Sequence, residues 1–212
     1  MLEAKKQMGR PKSEEKKHVI MEAATQLFLE HGFANTTMDA VAAQASVSKQ
    51  TVYSHFQNKD NLFREMVIAK SDELSALPDL LDQDELPLQE LLISLSLGFL
   101  ELMYCEESIA LHRIIISEAV RNPKVAQLFF EVGPNRFKGM FSAYLKRQGE
   151  KGVLKIEDPL EVAGHFFCLL KGLHHMAVLM NVAEKPSFEE NLKQAESVIS
   201  IFLKLYGTSQ AS

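Results

Sequence analysis

Residues 36–63 read TTMDAVAAQASVSKQTVYSHFQNKDNLF, and the fold is decided there. Thr36-Thr37-Met38-Asp39 has the Thr-x-x-Asp form of a helix start, with the Thr36 hydroxyl placed to cap and Asp39 favoured by the positive end of the helix dipole. The helix it opens, over about residues 37–45, carries Ala40, Ala42, Ala43 and Ala45, small side chains that let another helix cross closely. Ser46-Val47-Ser48 makes a turn, and Ser48 is placed to cap a further helix over 49–56. In that helix Val52 and Phe56 face a core, while Lys49, Gln50, Thr51 and Tyr53 face outward. Two short helices joined by a turn of about three or four residues, with a buried aliphatic at Val47, form the helix-turn-helix pattern. The second helix presents donors, a hydroxyl and an aromatic face near its N-terminal end, as contact with bases and phosphates requires.

Upstream, Val19, Ile20, Ala23, Ala24, Leu27 and Phe28 recur at three- and four-residue steps on one face of a helix starting near Ser13, and Gly32 is the residue expected to end it. Downstream, Asn58 caps a fourth helix over about residues 59–75 that buries Leu62, Phe63, Met66 and Val67. Lys59 opposes the dipole in its first turn. A cation there is explained by a phosphate alongside, shared with the backbone N–H groups.

The chain has 212 residues, 46% of them apolar and 24% charged, an ordinary soluble composition with room for one or two domains. Its two cysteines, Cys105 and Cys168, cannot make a disulfide framework or a four-cysteine zinc site, which points to a reducing, cytoplasmic location. No apolar run of signal-peptide or membrane-span length is present, so no membrane association is expected. The net charge of −5 is unevenly spread: residues 1–70 hold ten Lys/Arg against eight Asp/Glu, and residues 71–212 hold thirteen against twenty. Lys5, Lys6, Arg10, Lys12, Lys16 and Lys17 give the start of the chain the character of a phosphate-binding arm. The expected division is a basic disordered arm over 1–12, a helix-turn-helix domain with its linking helix over 13–75, and a helical domain over 76–212.

Thr51-Val52-Tyr53-Ser54-His55-Phe56-Gln57-Asn58-Lys59-Asp60-Asn61-Leu62-Phe63, with Gly32-Phe33, Thr36-Thr37-Met38, Val41-Ala42 and Val47-Ser48, resembles the tetracycline-repressor (TetR/AcrR) family of bacterial transcription regulators. The resemblance covers about residues 13–65, and Tyr-x-His-Phe-x-x-Lys-x-x-Leu is highly specific to that family. It implies that Tyr53, His55 and Lys59 hold the phosphate backbone and that Thr36 or Thr37 adds a phosphate contact. Lys49, Gln50 and Thr51 then face base edges, with Ser48 at the head of the same helix. Two positions depart from the family: Ser46 stands where many members have glycine, and Asp39 where many have a basic residue.

Residues 76–86, with Pro78, Asp79, Asp82, Asp84 and Glu85, read as a connector. Helices follow over about 87–104, 108–121, 123–148, 159–182 and 187–206. Asn122-Pro123 and Asp158-Pro159 put caps before prolines, Asp158-x-x-Glu161 and Ser187-x-x-Glu190 are capping boxes, and Gly133-Pro134 kinks or splits the third helix. The fold class is therefore all-α. The last two helices are apolar on more than one side, through Phe166, Phe167, Leu169, Leu170, Leu173 and Val178 on one and Val198, Ile199, Ile201, Phe202 and Leu205 on the other. A second copy is the economical cover. The resemblance likewise implies a homodimer through this pair, with recognition helices about 34 Å apart on a near-palindromic operator.

The resemblance also implies a small lipophilic effector enclosed by the C-terminal helices, with the chain acting as a repressor released by that ligand. Phe99, Met103, His112, Phe130, Phe137, Met140, Phe141, His165, Cys168 and His175 are the candidate lining, although such stripes on helices also read as plain core. No nucleophile elbow, glycine-rich phosphate loop or His-Glu-x-x-His is present, and His174 and His175 point about 100° apart on a helix. No enzyme activity, cofactor or metal is expected. The rival reading is an all-helical small-molecule or metal-sensing module without DNA function.

Overall fold

The computed structural model describes residues 12–75, 77–82 and 86–209. The expected basic arm lies outside the described residues, apart from the backbone of its last position, as do 76 and 83–85 of the expected connector. The described regular elements are all helices, and the chain divides into two compact units between Met66 and Val67.

In the first unit, α1 (Lys12–Asn35), α2 (Met38–Gln44), α3 (Lys49–Phe56) and the start of α4 (Lys59–Ser75) enclose Ile20, Leu27, Val41, Val52, Phe56 and Leu62. Phe28, Phe33 and Phe63 meet with ring centroids 5.2–5.7 Å apart, one pair stacked and two edge-on, arrangements that suit the aromatic quadrupole. Gly32, at φ 77° and ψ 173°, ends the long first run of α1 as expected, and a further turn to Asn35 follows the kink. The cap of α2 is Thr37, whose Oγ1 accepts from the Ala40 N–H at 3.1 Å; Thr36, expected in that role, is one residue too early.

The turn between α2 and α3 is a Schellman motif. Val47 N–H donates to the Ala42 carbonyl and Ser46 N–H to that of Ala43, with Ser46 left-handed at φ 53°. A Cβ in that conformation costs roughly 1 kcal/mol. Ser46→Gly is therefore expected to raise stability by about 0.5–1 kcal/mol, read as a higher denaturant midpoint with an unchanged m-value.

The second unit holds the rest of α4 and α5 (Leu77–Leu81), α6 (Leu88–Tyr104), α7 (Glu106–Glu118), α8 (Pro123–Val132), α9 (Pro134–Glu150), α10 (Pro159–Leu179) and α11 (Phe188–Tyr206). A short helix thus lies in the stretch expected to be a plain connector. Gly133 separates α8 from α9, as its Gly-Pro pair implies. Asp158 caps α10 by accepting from Leu160 and Glu161 N–H, and Ser187 with Glu190 closes a full capping box on α11. Leu91, Leu92 and Leu95 of α6, Phe141 and Tyr144 of α9, Phe166 of α10 and Phe202 of α11 all belong to one continuous core.

By length and composition α10 could cross a membrane, but one side of it, Val162, Phe166, Phe167 and Leu170, is buried in this core. Gly172, at φ 54° and ψ −163°, breaks it part-way. The break frees the carbonyls of Leu169 and Leu170, which accept from Gln194 Nε2 of α11 at 2.8 and 3.4 Å. At the far end Arg113 donates to the Leu179 and Val178 carbonyls at 2.8 and 2.9 Å, a cation placed where the helix dipole favours one.

Candidate nucleic-acid interface and effector site

Ser48 opens α3 with its hydroxyl 2.8 Å from the Thr51 hydroxyl and accepting from the Thr51 N–H at 3.1 Å, so the start of the helix is fixed by its own side chains. Val52 and Phe56 anchor the inner face. Thr37, Ser48, Lys49, Gln50 and Tyr53 are exposed, while Thr51 and His55 are half-buried. The structure brings the residues expected at the bases together at one end of α3. Hydrogen-bond donors and an aromatic ring thus lie together on the exposed side of the start of this helix.

Charge is distributed less simply. The Lys49 ammonium bridges both carboxylate oxygens of Asp39, at 2.7 and 2.9 Å, and lies 5.8 Å from the Tyr53 ring centroid. The hydrogen bond that Lys49 donates to Asp39, and after it the carboxylate charge, hold the Lys49 pKa above the usual lysine value. Asp39 therefore does more than fill a position basic elsewhere in the family: it neutralises a cation of the recognition helix. This pairing joins two helices and has no local sequence signal.

Two of the expected phosphate contacts are revised. Thr36 is 1% exposed and its hydroxyl lies 2.8 Å from the Gly32 carbonyl and 3.1 Å from that of Leu27, so it cannot reach a phosphate; Thr37 is the exposed member of the pair. Lys59 Nζ lies 2.6 Å from the Phe33 carbonyl, 2.9 Å from Thr36 O and 3.3 Å from Ala34 O, with the Phe33 ring centroid 4.4 Å away. An ammonium has three N–H donors, and here each faces a carbonyl. Lys59 is a cap for the end of α1, and its placement against the dipole of α4 is explained by its opposite relation to α1.

Of the candidate effector residues, Phe99 meets Phe167 and Phe137 at 4.6 and 6.3 Å, and Phe141 meets Phe166 and Phe167 at 4.9 and 5.5 Å; these rings are inside the second unit. Met103 is buried and Met140 half-buried against the same core. His112 and His175 touch at 5.6 Å, and burial lowers both their pKa values, that of His175 to about 4. Three candidates are corrected. Phe130 is 59% exposed, because α8 turns Phe129 inward and the next residue lies about 100° around the helix. His165 and Cys168 lie on the outer face of α10, His165 beside Glu161 at 3.9 Å, since Phe166 and Phe167 occupy the inner one. An open groove of about 500 Å³ between α6 and α11, lined by Gln89, Ile93, Glu196, Ile199, Ser200, Leu203 and Lys204, includes none of the expected residues.

Comparison with known proteins bears on both units. Residues 20–66 match the family model of bacterial regulatory proteins of the tetR family, and residues 90–208 match that of the AefR-like transcriptional repressor C-terminal domain. The chain belongs to the TetR family. This TetR-family chain is therefore a DNA-binding transcriptional regulator of a family made of regulators. It is 27% identical to the HTH-type transcriptional regulator YvkB of Bacillus subtilis (strain 168) over 190 residues, 87% of this chain and 94% of that one. The crystal structure of a protein from Mesorhizobium loti MAFF303099, assigned to the TetR family, superposes with a TM-score of 0.76 at 28% identity, over 94% of this chain and 100% of its own. The flavonoid-responsive regulator FrrA is similar at 30% identity and a TM-score of 0.71, over 92% and 99% of the two chains.

Proposed function

We propose that the chain is a cytoplasmic, homodimeric repressor that holds a near-palindromic operator through α3 and leaves it when a small lipophilic effector enters the second unit. The observation that carries this reading is the exposed face of α3, where Ser48, Lys49, Gln50 and Tyr53 stand on a helix whose opposite face is locked by Val52 and Phe56. The aromatic interior of the second unit, and the similarity to a flavonoid-responsive regulator, support an effector of lipophilic, aromatic character. An exposed apolar face on α10 and α11 supports the dimer.

Release requires the effector to bind the arrangement that does not fit DNA more tightly than the one that does. The linking element is α4, one unbroken helix from Lys59 to Ser75. Its later part is clamped by Arg136 of α9, which donates to both oxygens of Asp72 at 2.7 and 2.9 Å, the bidentate geometry that gives an ion pair directional stiffness.

A mobility shift on random-sequence duplex at low salt tests the DNA function; absence of any shift would favour the sensing module without DNA. The charge pattern makes a sharper expectation. Asp39→Asn releases Lys49, so non-specific affinity should rise and the plot of log K against log salt should steepen by up to about one unit. Gln50→Ala should instead relax preference at one base pair by roughly 1–3 kcal/mol and leave the salt slope alone. Equal behaviour of the two variants would contradict the division between phosphate and base contacts.

A further inference from the structure

Within the second unit one imidazole has an unused nitrogen. His175 is 8% exposed, and its Nε2 has no hydrogen-bond partner, although buried polar atoms are nearly always paired. Its ring lies 5.6 Å from Tyr104 of α6 and 5.6 Å from His112 of α7, and His112 stands edge-on to Phe129 of α8 at 5.1 Å. Four helices thus contribute a connected run of four rings, with Tyr104 and His112 against His175 and Phe129 behind His112. His175 sits just beyond the Gly172 break, which sets the end of α10 apart from its first part.

The state of the imidazole follows from its surroundings. Burial is the largest influence holding its pKa down to about 4, followed by His112 and Lys171, whose positive charges would disfavour another; the Met103 carbonyl, accepting a hydrogen bond from the ring, pulls weakly the other way. At neutral pH the ring is therefore uncharged, with its proton toward Met103 on Nδ1 and a lone pair on Nε2. His112 is also neutral, its Nδ1 2.6 Å from the Ser108 carbonyl. Ser96, seven residues and so about 10 Å before Met103 on the same face of α6, is a second buried group without a partner.

We propose that His175 Nε2 is the polar anchor of the effector site and accepts a hydrogen bond from a phenolic hydroxyl on an aromatic effector. The assignment rests on reading the second unit as the effector domain. The nitrogen is an acceptor, so the ligand must bring a donor, and the surrounding rings select a flat apolar body. A carboxylate, which only accepts, would need a protonated imidazole as its partner, and burial keeps this one neutral. The hydroxyl thus separates this class from the many lipophilic molecules of equal size.

The test uses the intact protein with 4-phenylphenol and its methyl ether, 4-methoxybiphenyl, which share one framework and differ in the O–H. The phenol is expected to bind wild type at least tenfold more tightly than the ether, and to move the His175 Nε2 resonance in nitrogen-15 spectra. His175→Phe should bind the two alike and hold operator DNA as wild type does when no compound is present. The wild-type comparison and the spectrum need no variant, so a misfolded His175→Phe does not shield the proposal. Equal wild-type affinity for phenol and ether overturns the His175 anchor and leaves the effector domain standing. If neither compound binds or releases DNA, the anchor and the effector domain both fall for this class of ligand.

Discussion

Leu173→Glu is expected to give a folded monomer that no longer engages two half-sites together. Leu173 is 86% exposed within the chain, and Leu169 and Met176 of α10 and Met180 at its C-cap are exposed with it; Ile201 and Leu205 of α11 are exposed as well. Such a collection of large apolar side chains exceeds the scatter of single exposed residues that needs no explanation. Covered by a second copy, each glutamate would be stripped of water without a partner, and a pair of such charges costs several kcal/mol. Because the side chain touches little within its own chain, helicity and the unfolding transition of the monomer should be nearly unchanged. Phe202→Glu makes the contrast. Phe202 also lies on α11, but it is 3% exposed and its ring meets Phe166 at 5.3 Å and Tyr206 at 5.2 Å, so its replacement should unfold the second unit. Sedimentation separates these outcomes, and a wild-type monomer at micromolar concentration would remove the dimer from the account.

The same contrast shows what could be read from the amino-acid sequence. Leu173 and Phe202 were equivalent there, because a helix apolar on several sides gives no phase that tells the inner face from the outer. His165 and Cys168 were misplaced for that reason; Phe130 was misplaced because only one of two adjacent rings on a helix can face inward, and here it is Phe129. Where the signal is local it was legible: Ser48, Asp158 and Ser187 open α3, α10 and α11 because a side-chain oxygen two or three residues from an N–H has little choice of geometry. Thr36 and Thr37 mark the margin of that method, since adjacent hydroxyls compete for one cap and only tertiary packing buries the first. Gly172 gave no warning, because a lone glycine in an apolar helix is tolerated and the partner of the carbonyls it frees, Gln194, is on another helix. The partners of Lys49 and Lys59 are ten and more than twenty residues away, beyond any spacing rule within one helix.

Lys59→Ala is accordingly expected to act first on the stability of the helix-turn-helix unit and only through it on DNA. The Lys59 ammonium draws together the carbonyls of Phe33, Ala34 and Thr36, where α1 ends and α2 is about to begin, and sits over the Phe33 ring. Hydrogen bonds to a charged donor contribute about 1.5–3 kcal/mol when partly buried, and a cation over an aromatic face adds about 0.5–1 kcal/mol. Alanine should therefore cost the unit about 2–3 kcal/mol, a fall of roughly 10 °C or more in its thermal midpoint for a domain of this size. Operator affinity should decline on all sequences alike, because every contact residue of α3 depends on the seating of α2 and α3 against α1. The salt slope decides between this role and the phosphate contact that the family resemblance implies. A lost phosphate contact flattens log K against log salt by about 0.9 units with little change in melting, whereas a lost cap lowers the midpoint and leaves the slope nearly as it was. Lys59→Arg, which keeps the charge but cannot direct one compact ammonium at three converging carbonyls, should recover less than half of the lost stability. A flattened slope with an unchanged thermal midpoint would return Lys59 to the phosphate backbone and leave the end of α1 to be capped by water.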